Sequence, residues 1–308
     1  MQLNLLSTNA KPVFKWAGGK GQLISQIDSY FPIELRLGKL SNYVEPFIGG
    51  GAVFFHIAKN FQVEEYIVAD INPELILAYR SIRKDVEQII DLLNSNQNEY
   101  YSLDQEERKR YYYSVRSEFN HNIKEIDYSN FHPSWITRTA QIIYLNRTCF
   151  NGLFRVNSKG EFNVPFGSYK KPKISDPDNL RSVSQVLQNT KIFYTDFTEI
   201  EPYVGPNTFV YFDPPYRPIS DTASFTSYSK DSFNDSEQLR LAQFYRKLDG
   251  LGAKLMLSNS DPKNVNTEDS FFEDAYSGYK IEKVRATRNI NSVAASRGKI
   301  NELLIMNY

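Results

Sequence analysis

Residues 213–216, the DPPY motif, are the segment of this chain best equipped for chemistry. The motif consists of Asp213, Pro214, Pro215 and Tyr216, and it follows an apolar, aromatic run at 208–212 that predicts a buried strand. Open α/β sheets bind their ligands at the carboxyl ends of such strands. The prolines have a fixed φ and no N–H group, so they make a stiff turn whose carbonyls can accept hydrogen bonds from a ligand.

The side chains of this motif suit a planar base that bears an amine. Asp213 and the Pro214 carbonyl can accept hydrogen bonds from an amino group, and Tyr216 offers a flat face to a ring. Taken alone, the tetrapeptide fits equally well a Pro-Pro turn with a capping Asp and a core Tyr.

A glycine turn far upstream decides between these interpretations. A strand predicted at 43–47 runs into glycines at 49–51, and residues 52–58 have the pattern of the following helix. Strand, glycine turn and helix open a nucleotide-type site, in which the backbone approaches the ligand closely. Asp70 follows the next predicted strand at the distance expected for an acid that holds ribose hydroxyls. Phe54 stands where a dinucleotide fingerprint has its third glycine, which favours a nucleoside without phosphates over a pyrophosphate ligand.

The elements that must position these residues indicate an α/β fold. Further short strands are predicted at 191–194, 253–258, 281–285 and 302–306, and a helix at 236–248 is expected to open with a capping box of Asp235 and Gln238. Strands alternating with helices predict a mainly parallel sheet covered by helices. The 308 residues fit one catalytic domain with one insertion.

Six motifs in one order give the chain a family resemblance. It resembles the Dam-type DNA adenine methyltransferases (the alpha group), which modify the adenine of GATC. The resemblance runs from about residue 11 to the carboxyl terminus and is least distinctive between 76 and 136. The motifs that carry it are residues 15–20, 45–51, 70–72, 151–155, 162–165 and 213–216.

The resemblance implies a fold and a division of the chain. We expect a seven-stranded Rossmann-like methyltransferase sheet with one antiparallel strand, which binds S-adenosylmethionine at its strand ends. Residues 1–73 and 185–308 would form this catalytic domain. Residues 74–184 would form a mostly helical target-recognition domain with a β-hairpin near 150–165, and tyrosines at 100–113 are expected in its core.

The resemblance also assigns residues to the cofactor and to catalysis. Asp70 would hold the ribose hydroxyls, Asp196 and Phe197 the adenine of the cofactor, and the DPPY motif the target base. The expected cofactor-binding residues are Trp16, Ala17, Gly18, Lys20, Glu45, Pro46, Phe47, Gly49, Gly51, Asp70, Asp196, Phe197 and Asp213.

DNA recognition is predicted in the middle of the chain. Residues 146–173 carry six Lys or Arg against a single acid, Glu161, with aromatic and amide side chains between them. Such a loop suits phosphate contact, base stacking and groove readout, although it also fits a solvated hairpin. By resemblance Arg155 reads a guanine, and Phe150 intercalates where many relatives have Tyr. The expected DNA-binding residues are Lys15, Phe150, Asn151, Leu153, Arg155, Asn163 and Pro165.

The implied chemistry needs few groups. The exocyclic amine of adenine is a poor nucleophile because its lone pair is delocalised into the ring, whereas a sulfonium is already an activated methyl donor. The protein must therefore supply positioning and acceptors, with the target base extruded from the duplex. The three histidines, His56, His121 and His132, have no ligand spacing, so no metal site is expected.

Other functions are weighed against this one. A carbon-5 cytosine methyltransferase is disfavoured because the sole cysteine, Cys149, does not follow a proline, and a kinase because Phe14 and Gly21 break the phosphate-loop pattern. A methyltransferase acting on an RNA or on a protein amide or amine remains the alternative, although such enzymes usually carry Asn at position 213. A non-catalytic DNA-binding relative and a nucleotide-dependent oxidoreductase are disfavoured, since the DPPY motif and glycine turn are intact and the third glycine is missing.

Composition limits the partners. The formal net charge is zero, so DNA binding must rely on local basic patches. No membrane span or signal peptide is predicted. The resemblance implies double-stranded DNA as partner, a monomer and a bacterial or phage-encoded cytoplasmic protein, and it leaves open a companion restriction endonuclease. The polar segment 217–233 is expected to order over the extruded base.

Overall fold

A computed structural model describes residues 9–16, 18–217, 233–287 and 299–308. Within these residues seven strands form one sheet in the order β3-β2-β1-β4-β5-β7-β6. All neighbouring pairs are parallel except those of β7, which runs antiparallel to both β5 and β6. The strands are β1 (Asn42–Glu45), β2 (Glu65–Asp70), β3 (Thr190–Tyr194), β4 (Thr208–Phe212), β5 (Lys254–Ser260), β6 (Lys280–Thr287) and β7 (Lys299–Met306). The predicted α/β sheet with one antiparallel strand is confirmed.

Ten α-helices accompany this sheet in the described part of the chain. They are α1 (Ile24–Asp28), α2 (Ile33–Arg36), α3 (Ala52–Asn60), α4 (Pro73–Lys84), α5 (Val86–Ser102), α6 (Gln105–His121), α7 (Ser134–Thr148), α8 (Pro177–Gln188), α9 (Asp235–Gly250) and α10 (Phe271–Ala275). The expected capping box of α9 is wrong, because Asn234 is the N-cap and accepts a hydrogen bond from the Glu237 N–H. The Asp235 carboxylate instead pairs with Arg217.

The core lies on both faces of the sheet. Successive strand residues point to opposite faces, so Tyr43 packs in one apolar cluster and Val44 in the other. The α9 side chains Leu241 and Tyr245 cover the second face, and the cluster of the first face continues into the helices of the insertion. Burial on both faces explains why the central strands read as uninterrupted apolar runs.

Helices α4 to α8 lie between β2 and β3 in the chain, where a helical insertion is expected. Of the tyrosines expected in the core of the insertion, Tyr100 and Tyr112 are fully buried in the apolar cluster that these helices share with the sheet. The other three, Tyr101, Tyr111 and Tyr113, are partly buried and pack against that cluster. Between positions 149 and 166, two isolated antiparallel bridges, Cys149 with Phe166 and Val156 with Phe162, stand where a hairpin is expected. The division into two domains stays a prediction.

A buried ion pair joins three of the inserted helices. The Arg138 guanidinium donates to both carboxylate oxygens of Glu74 and to the Phe119 carbonyl, and both charged side chains are buried. The Tyr128 hydroxyl also donates to Glu74, at 2.5 Å. Removal of one partner would leave the other charge buried without compensation.

We therefore expect Arg138→Ala to lower the free energy of unfolding by about 3–5 kcal/mol. Denaturant unfolding followed by circular dichroism measures this change. Arg181→Ala is the matched control, because Arg181 pairs with Glu87 on the surface and such pairs contribute at most about 1 kcal/mol. Equal effects of the two substitutions would contradict the prediction.

Candidate active site

Four carboxylates meet at one edge of the sheet. Glu45 ends β1, Asp70 ends β2, and Asp196 and Asp213 follow β3 and β4. Because these four strands are parallel, their carboxyl ends share an edge. The next strand in the chain, β2, lies on one side of β1, whereas β4 lies on its other side. The strand order therefore reverses at β1, and open α/β sheets bind ligands at such a switch point.

Asp213 is held by a buried lysine. The Nζ of Lys20 lies 2.5 Å from Asp213 Oδ1, and the Ser258 hydroxyl donates to the same oxygen at 3.1 Å. Lys20 is only 2 % exposed and also donates to the Gly18 carbonyl. Among the described residues, none donates to Asp213 Oδ2. One carboxylate oxygen is thus fixed by the protein, and the other is available to a ligand.

The two proline carbonyls of the DPPY motif differ in their hydrogen bonding. Pro214 is buried, and its carbonyl accepts no hydrogen bond from the described residues. The Pro215 carbonyl, in contrast, accepts from Gln238 Nε2 at 3.0 Å. The carbonyl expected to bind an amine is therefore the one that the described residues leave open.

Two buried amides form a support that the sequence reasoning missed. Gln238 and Asn259 are fully buried, and Asn259 Nδ2 donates to Gln238 Oε1 at 3.2 Å. Asn259 Oδ1 accepts from the N–H of Arg217, directly after the motif. Gln238 was expected to cap α9, but its side chain stabilises the DPPY turn instead. The available signal was the polar end of β5, where Ser258, Asn259 and Ser260 follow the apolar run 255–257 at the ligand-binding edge.

The glycine turn is organised around Asp70. The N–H of Gly49 donates to Asp70 Oδ2 at 3.0 Å, and the N–H of Asn72 donates to Oδ1 at 2.9 Å. Gly49 has a φ of 47°, and a Cβ there would lie 2.9 Å from the indole of Trp16. Gly51 has a φ of 73° and is the N-cap of α3. Only glycine allows Trp16 to pack directly on this turn.

Burial raises the pKa of Asp70 to about 6, although hydrogen bonds from the Gly49, Asn72 and Ile71 N–H groups favour its charged form. Below that pH the folded protein holds the acid in its neutral form, which is the weaker acceptor for hydroxyl groups. If Asp70 holds the ribose hydroxyls of S-adenosylmethionine, as the resemblance implies, affinity for that cofactor should be constant above about pH 7 and fall by up to about tenfold per unit below pH 6.

Calorimetric titration between pH 5 and pH 8 tests this expectation. Asp70→Asn should bind weakly at every pH and lose the transition near pH 6, whereas Asp91→Asn, an exposed control on α5, should retain it. A transition that persists in Asp70→Asn would assign the titration to another group.

Three other expected cofactor residues lie nearby. Glu45 is 2 % exposed and accepts from the Tyr43 hydroxyl, and burial raises its pKa well above the usual range. Pro46 beside it is buried as well. The half-buried Phe47 has its ring centroid 5.4 Å from that of Phe197.

Asp196 and Phe197 follow β3, and both contact the side chain of Arg240. Both Asp196 oxygens accept from Arg240 at 2.8 Å, and these hydrogen bonds lower the pKa of Asp196 to about 2. The Arg240 guanidinium lies 4.1 Å from the centroid of the Phe197 ring, which is 3 % exposed. Arg240 is therefore a third residue at this edge whose role the sequence reasoning missed.

The amino-terminal segment joins this edge to the central loop. Asn146 accepts from the Lys15 N–H and donates to the carbonyls of Lys15 and Gly152. The next residue, Trp16, stacks on Phe154 with ring centroids 5.3 Å apart. Lys15 is thereby held beside the 150–155 loop, although more than 130 residues separate the two segments.

The expected DNA-binding residues of the loop lie together. Arg155 Nε donates to Asn163 Oδ1 at 2.7 Å, and the Asn163 N–H donates to the Arg155 carbonyl. Phe150 is 51 % exposed, and its N–H donates to the Pro165 carbonyl. Asn151 has a φ of 57°, Leu153 is half-buried, and Asn151, Arg155 and Pro165 are exposed.

A family model described as D12 class N6 adenine-specific DNA methyltransferase matches residues 16–290. The chain belongs to this family. The resemblance to Dam-type DNA adenine methyltransferases is thus confirmed, and the DPPY motif lies within the matched range.

Curated relatives share the family over nearly their whole length. The chain is 51 % identical over 299 residues to "Type II methyltransferase M.MjaIII" of Methanocaldococcus jannaschii. This alignment covers 97 % of this chain and 99 % of that protein. It is 40 % identical to "Type II methyltransferase M1.LlaDCHI" of Lactococcus lactis subsp. cremoris, covering 99 % of each chain. It is 32 % identical to "DNA adenine methylase" of Haemophilus influenzae, covering 96 % of this chain and 92 % of that protein.

Some of the expected features of this methyltransferase lie outside the described residues. They include Ala17 and all of the segment expected to order over the base except Arg217 and Phe233. Across the described ranges, no helix has both the length and the apolarity to cross a membrane. The same ranges hold no group of three or more His, Cys, Asp or Glu side chains placed to bind a metal ion.

Proposed function

We propose that the protein transfers a methyl group from S-adenosylmethionine to the exocyclic N6 amine of an adenine flipped out of duplex DNA, within GATC. The observation that carries this proposal is the pair of open acceptors at the end of β4. Asp213 Oδ2 and the Pro214 carbonyl accept no hydrogen bond from the described residues, although Asp213 Oδ1 and the Pro215 carbonyl are held by the protein. An amine with two hydrogens matches two such acceptors.

The edge of the sheet fits a nucleoside-bearing cofactor. Asp70 offers carboxylate oxygens next to the close-approach turn at Gly49. Ile71 is 66 % exposed and Tyr194 is 47 % exposed at the ends of β2 and β3, where large apolar side chains lie open to a ring. When bound, S-adenosylmethionine supplies the activated methyl group.

Further residues complete this proposed cofactor site. Asp196 and Phe197 would hold the adenine of the cofactor, with Arg240 fixing the Asp196 carboxylate. By resemblance, the glycine motif would surround its methionine part with Glu45, Pro46, Phe47 and Gly49, and Gly51 would also bind the cofactor. The amino-terminal cofactor loop would consist of Trp16, Ala17, Gly18 and Lys20.

Catalysis follows from the acceptors and from the aromatic ring. Hydrogen bonds from the amine to Asp213 and to the Pro214 carbonyl would draw its lone pair out of conjugation and aim it at the methyl group. Tyr216 would stack on the target ring, and Pro215 would keep the turn rigid. The base must leave the duplex first, because its amine is not open to in-line attack inside the helix.

Recognition of GATC would come from Lys15 and the central loop. Arginine matches the two major-groove acceptors of guanine, and the bond from Arg155 Nε to Asn163 orients its guanidinium. Leu153 and Pro165 would contact thymine, Asn151 would lie near the flipped base, and Phe150 would intercalate.

We further propose that residues 74–184 form the target-recognition domain and that the protein acts as a cytoplasmic monomer on double-stranded DNA. The type II names of two relatives support a companion restriction endonuclease.

The experiment combines the protein with methyl-labelled S-adenosylmethionine and either of two duplexes, one with GATC and one with a scrambled site. The products are digested to nucleosides. Label on methyladenine from the GATC duplex alone is expected. Label from both duplexes would refute the GATC proposal but keep the chemistry. No label on either duplex, with cofactor bound, would favour the alternative methyltransferase that acts on an RNA or on a protein amide or amine.

A further inference from the structure

Glu302 lies behind the DPPY motif, although the proposed reaction assigns it no role. It is near the start of β7, the antiparallel strand, and its register partner on β5 is Ser260. Since β7 runs opposite to β5, its first residues lie at the edge where the parallel strands end. The Glu302 side chain is mostly buried, and its Oε2 accepts a hydrogen bond from the Tyr216 hydroxyl.

We propose that Glu302 is a positioning residue that fixes the orientation of the Tyr216 ring, and so the face on which the target adenine stacks. This inference rests on the proposed function, since it presumes that Tyr216 stacks on the base. Glu302 would touch neither the cofactor nor the reacting atoms and would act through Tyr216.

The geometry explains why the ring needs such an anchor. Tyr216 is the last residue of the motif, and one face of its ring is covered by the Lys20 ammonium, 4.6 Å from the ring centroid. The hydrogen bond from the Tyr216 hydroxyl to the Glu302 carboxylate is charge-assisted, and it fixes the end of the ring that lies farthest from the backbone. A ring fixed before the base arrives loses less conformational freedom on stacking.

The hydroxyl is also held in the state that donates. Burial, together with the nearby Asp213 and Glu302 carboxylates, raises the pKa of Tyr216 well above its ordinary value. The hydroxyl therefore stays protonated throughout the working pH range.

Lys20 does not account for the placement of Glu302. Lys20 Nζ is 4.0 Å from Glu302 Oε2 but 2.5 Å from Asp213 Oδ1, so its hydrogen-bonding carboxylate is Asp213. Glu302→Gln would keep an oxygen acceptor for the tyrosine hydroxyl while removing the charge. This variant therefore separates an anchor for Tyr216 from a charge partner for Lys20.

The experiment measures the single-turnover rate of adenine methylation at saturating cofactor and GATC duplex, with cofactor and DNA affinities determined separately. The variants are Glu302→Ala, Glu302→Gln, Tyr216→Phe and the double variant Glu302→Ala with Tyr216→Phe. Glu282→Gln is the control, because Glu282 is a carboxylate on the neighbouring β6 that pairs only loosely with Lys280.

Glu302→Ala should lower the rate by about 10–100-fold through misplacement of the ring, with cofactor affinity within about twofold of the original. Tyr216→Phe should lose a similar factor, and the double variant should be no slower than either single one, since both remove the same contact. Glu302→Gln should recover most of the rate, and Glu282→Gln should not change it.

Several results would overturn the proposal. They are an unchanged rate in Glu302→Ala, additive losses in the double variant, or Glu302→Gln as slow as Glu302→Ala. A loss of cofactor affinity equal to the loss of rate would show a general structural role instead. The unsubstituted protein distinguishes failure of the proposed function from failure of this inference. If it forms no methyladenine, the proposed function is wrong. If it forms methyladenine and Glu302→Ala has the same rate, only the inference about Glu302 is wrong.

Discussion

Replacing Asp213 with Ala is expected to lower the rate of adenine methylation by about 10²–10³-fold while leaving the affinity for S-adenosylmethionine within a few fold. The substitution removes the acceptor proposed to activate the amine, and loss of one such oriented group costs about 10²–10³ in rate. It also leaves Lys20, only 2 % exposed, without its hydrogen-bonded carboxylate and with Glu302 at 4.0 Å as the nearest remaining one, so thermal stability should fall as well. Single-turnover methylation, cofactor titration and thermal unfolding measure the three effects.

Asp213→Asn separates catalysis from stability. The amide has one acceptor oxygen where the carboxylate has two, so it can serve Lys20 and Ser258 or the adenine amine but not all of them. We expect a slower enzyme with stability closer to that of the original protein. Asp178→Ala, at a fully exposed position on α8, is the control. An Asp213→Ala variant that kept its rate within tenfold would remove Asp213 from the catalytic role.

Replacing Arg155 with Ala is expected to relax specificity at one guanine of the site. A bidentate arginine–guanine contact contributes about 1–3 kcal/mol, so discrimination against a site with that guanine replaced should fall by about 5–150-fold. Competition between GATC and singly substituted duplexes, scored by methylation rate, measures the change. Full discrimination in Arg155→Ala would show that another residue reads the base.

Two neighbours of Arg155 provide controls for this experiment. Lys159, an exposed basic residue of the same loop, should contribute through phosphates, so Lys159→Ala should weaken binding to every duplex equally and reduce the salt dependence. Asn163→Ala removes the hydrogen bond to Arg155 Nε, and a smaller loss of discrimination in the same direction is expected.

Patterns of short range predicted the architecture. The strands of the sheet were recognisable because burial on both faces demands apolar residues in succession. Asp70 and Asp213 were recognisable because a polar residue that ends such a run lies at the ligand-binding edge. The cap of α9 was missed because Asn234 and Asp235 are both suitable N-cap residues, and only the ion pair of Asp235 with Arg217 shows which one is engaged elsewhere.

The supporting residues could not be predicted in this way. Asn259 and Arg240 belong to no motif, Gln238 belongs only to the predicted capping box, and each acts on a segment distant in the chain. The resemblance assigns Lys20 to the cofactor, and only the structure shows that its Nζ also donates a hydrogen bond to Asp213, 193 positions away. A buried polar side chain must find a partner, but the sequence does not say which one.

The sequence by itself determined the α/β class of this protein, the strands of its sheet and the motifs that place it among the adenine methyltransferases. These features depend on local periodicity and on residues contiguous in the chain. Only the tertiary structure decided which oxygen of Asp213 is held by Lys20, which carbonyl of the DPPY turn the described residues leave open, and that the Tyr216 hydroxyl donates to Glu302. Those contacts join residues that are distant in the chain and that the pairing of β4 with β1 and of β7 with β5 brings together. Local sequence patterns do not show which distant segments pair.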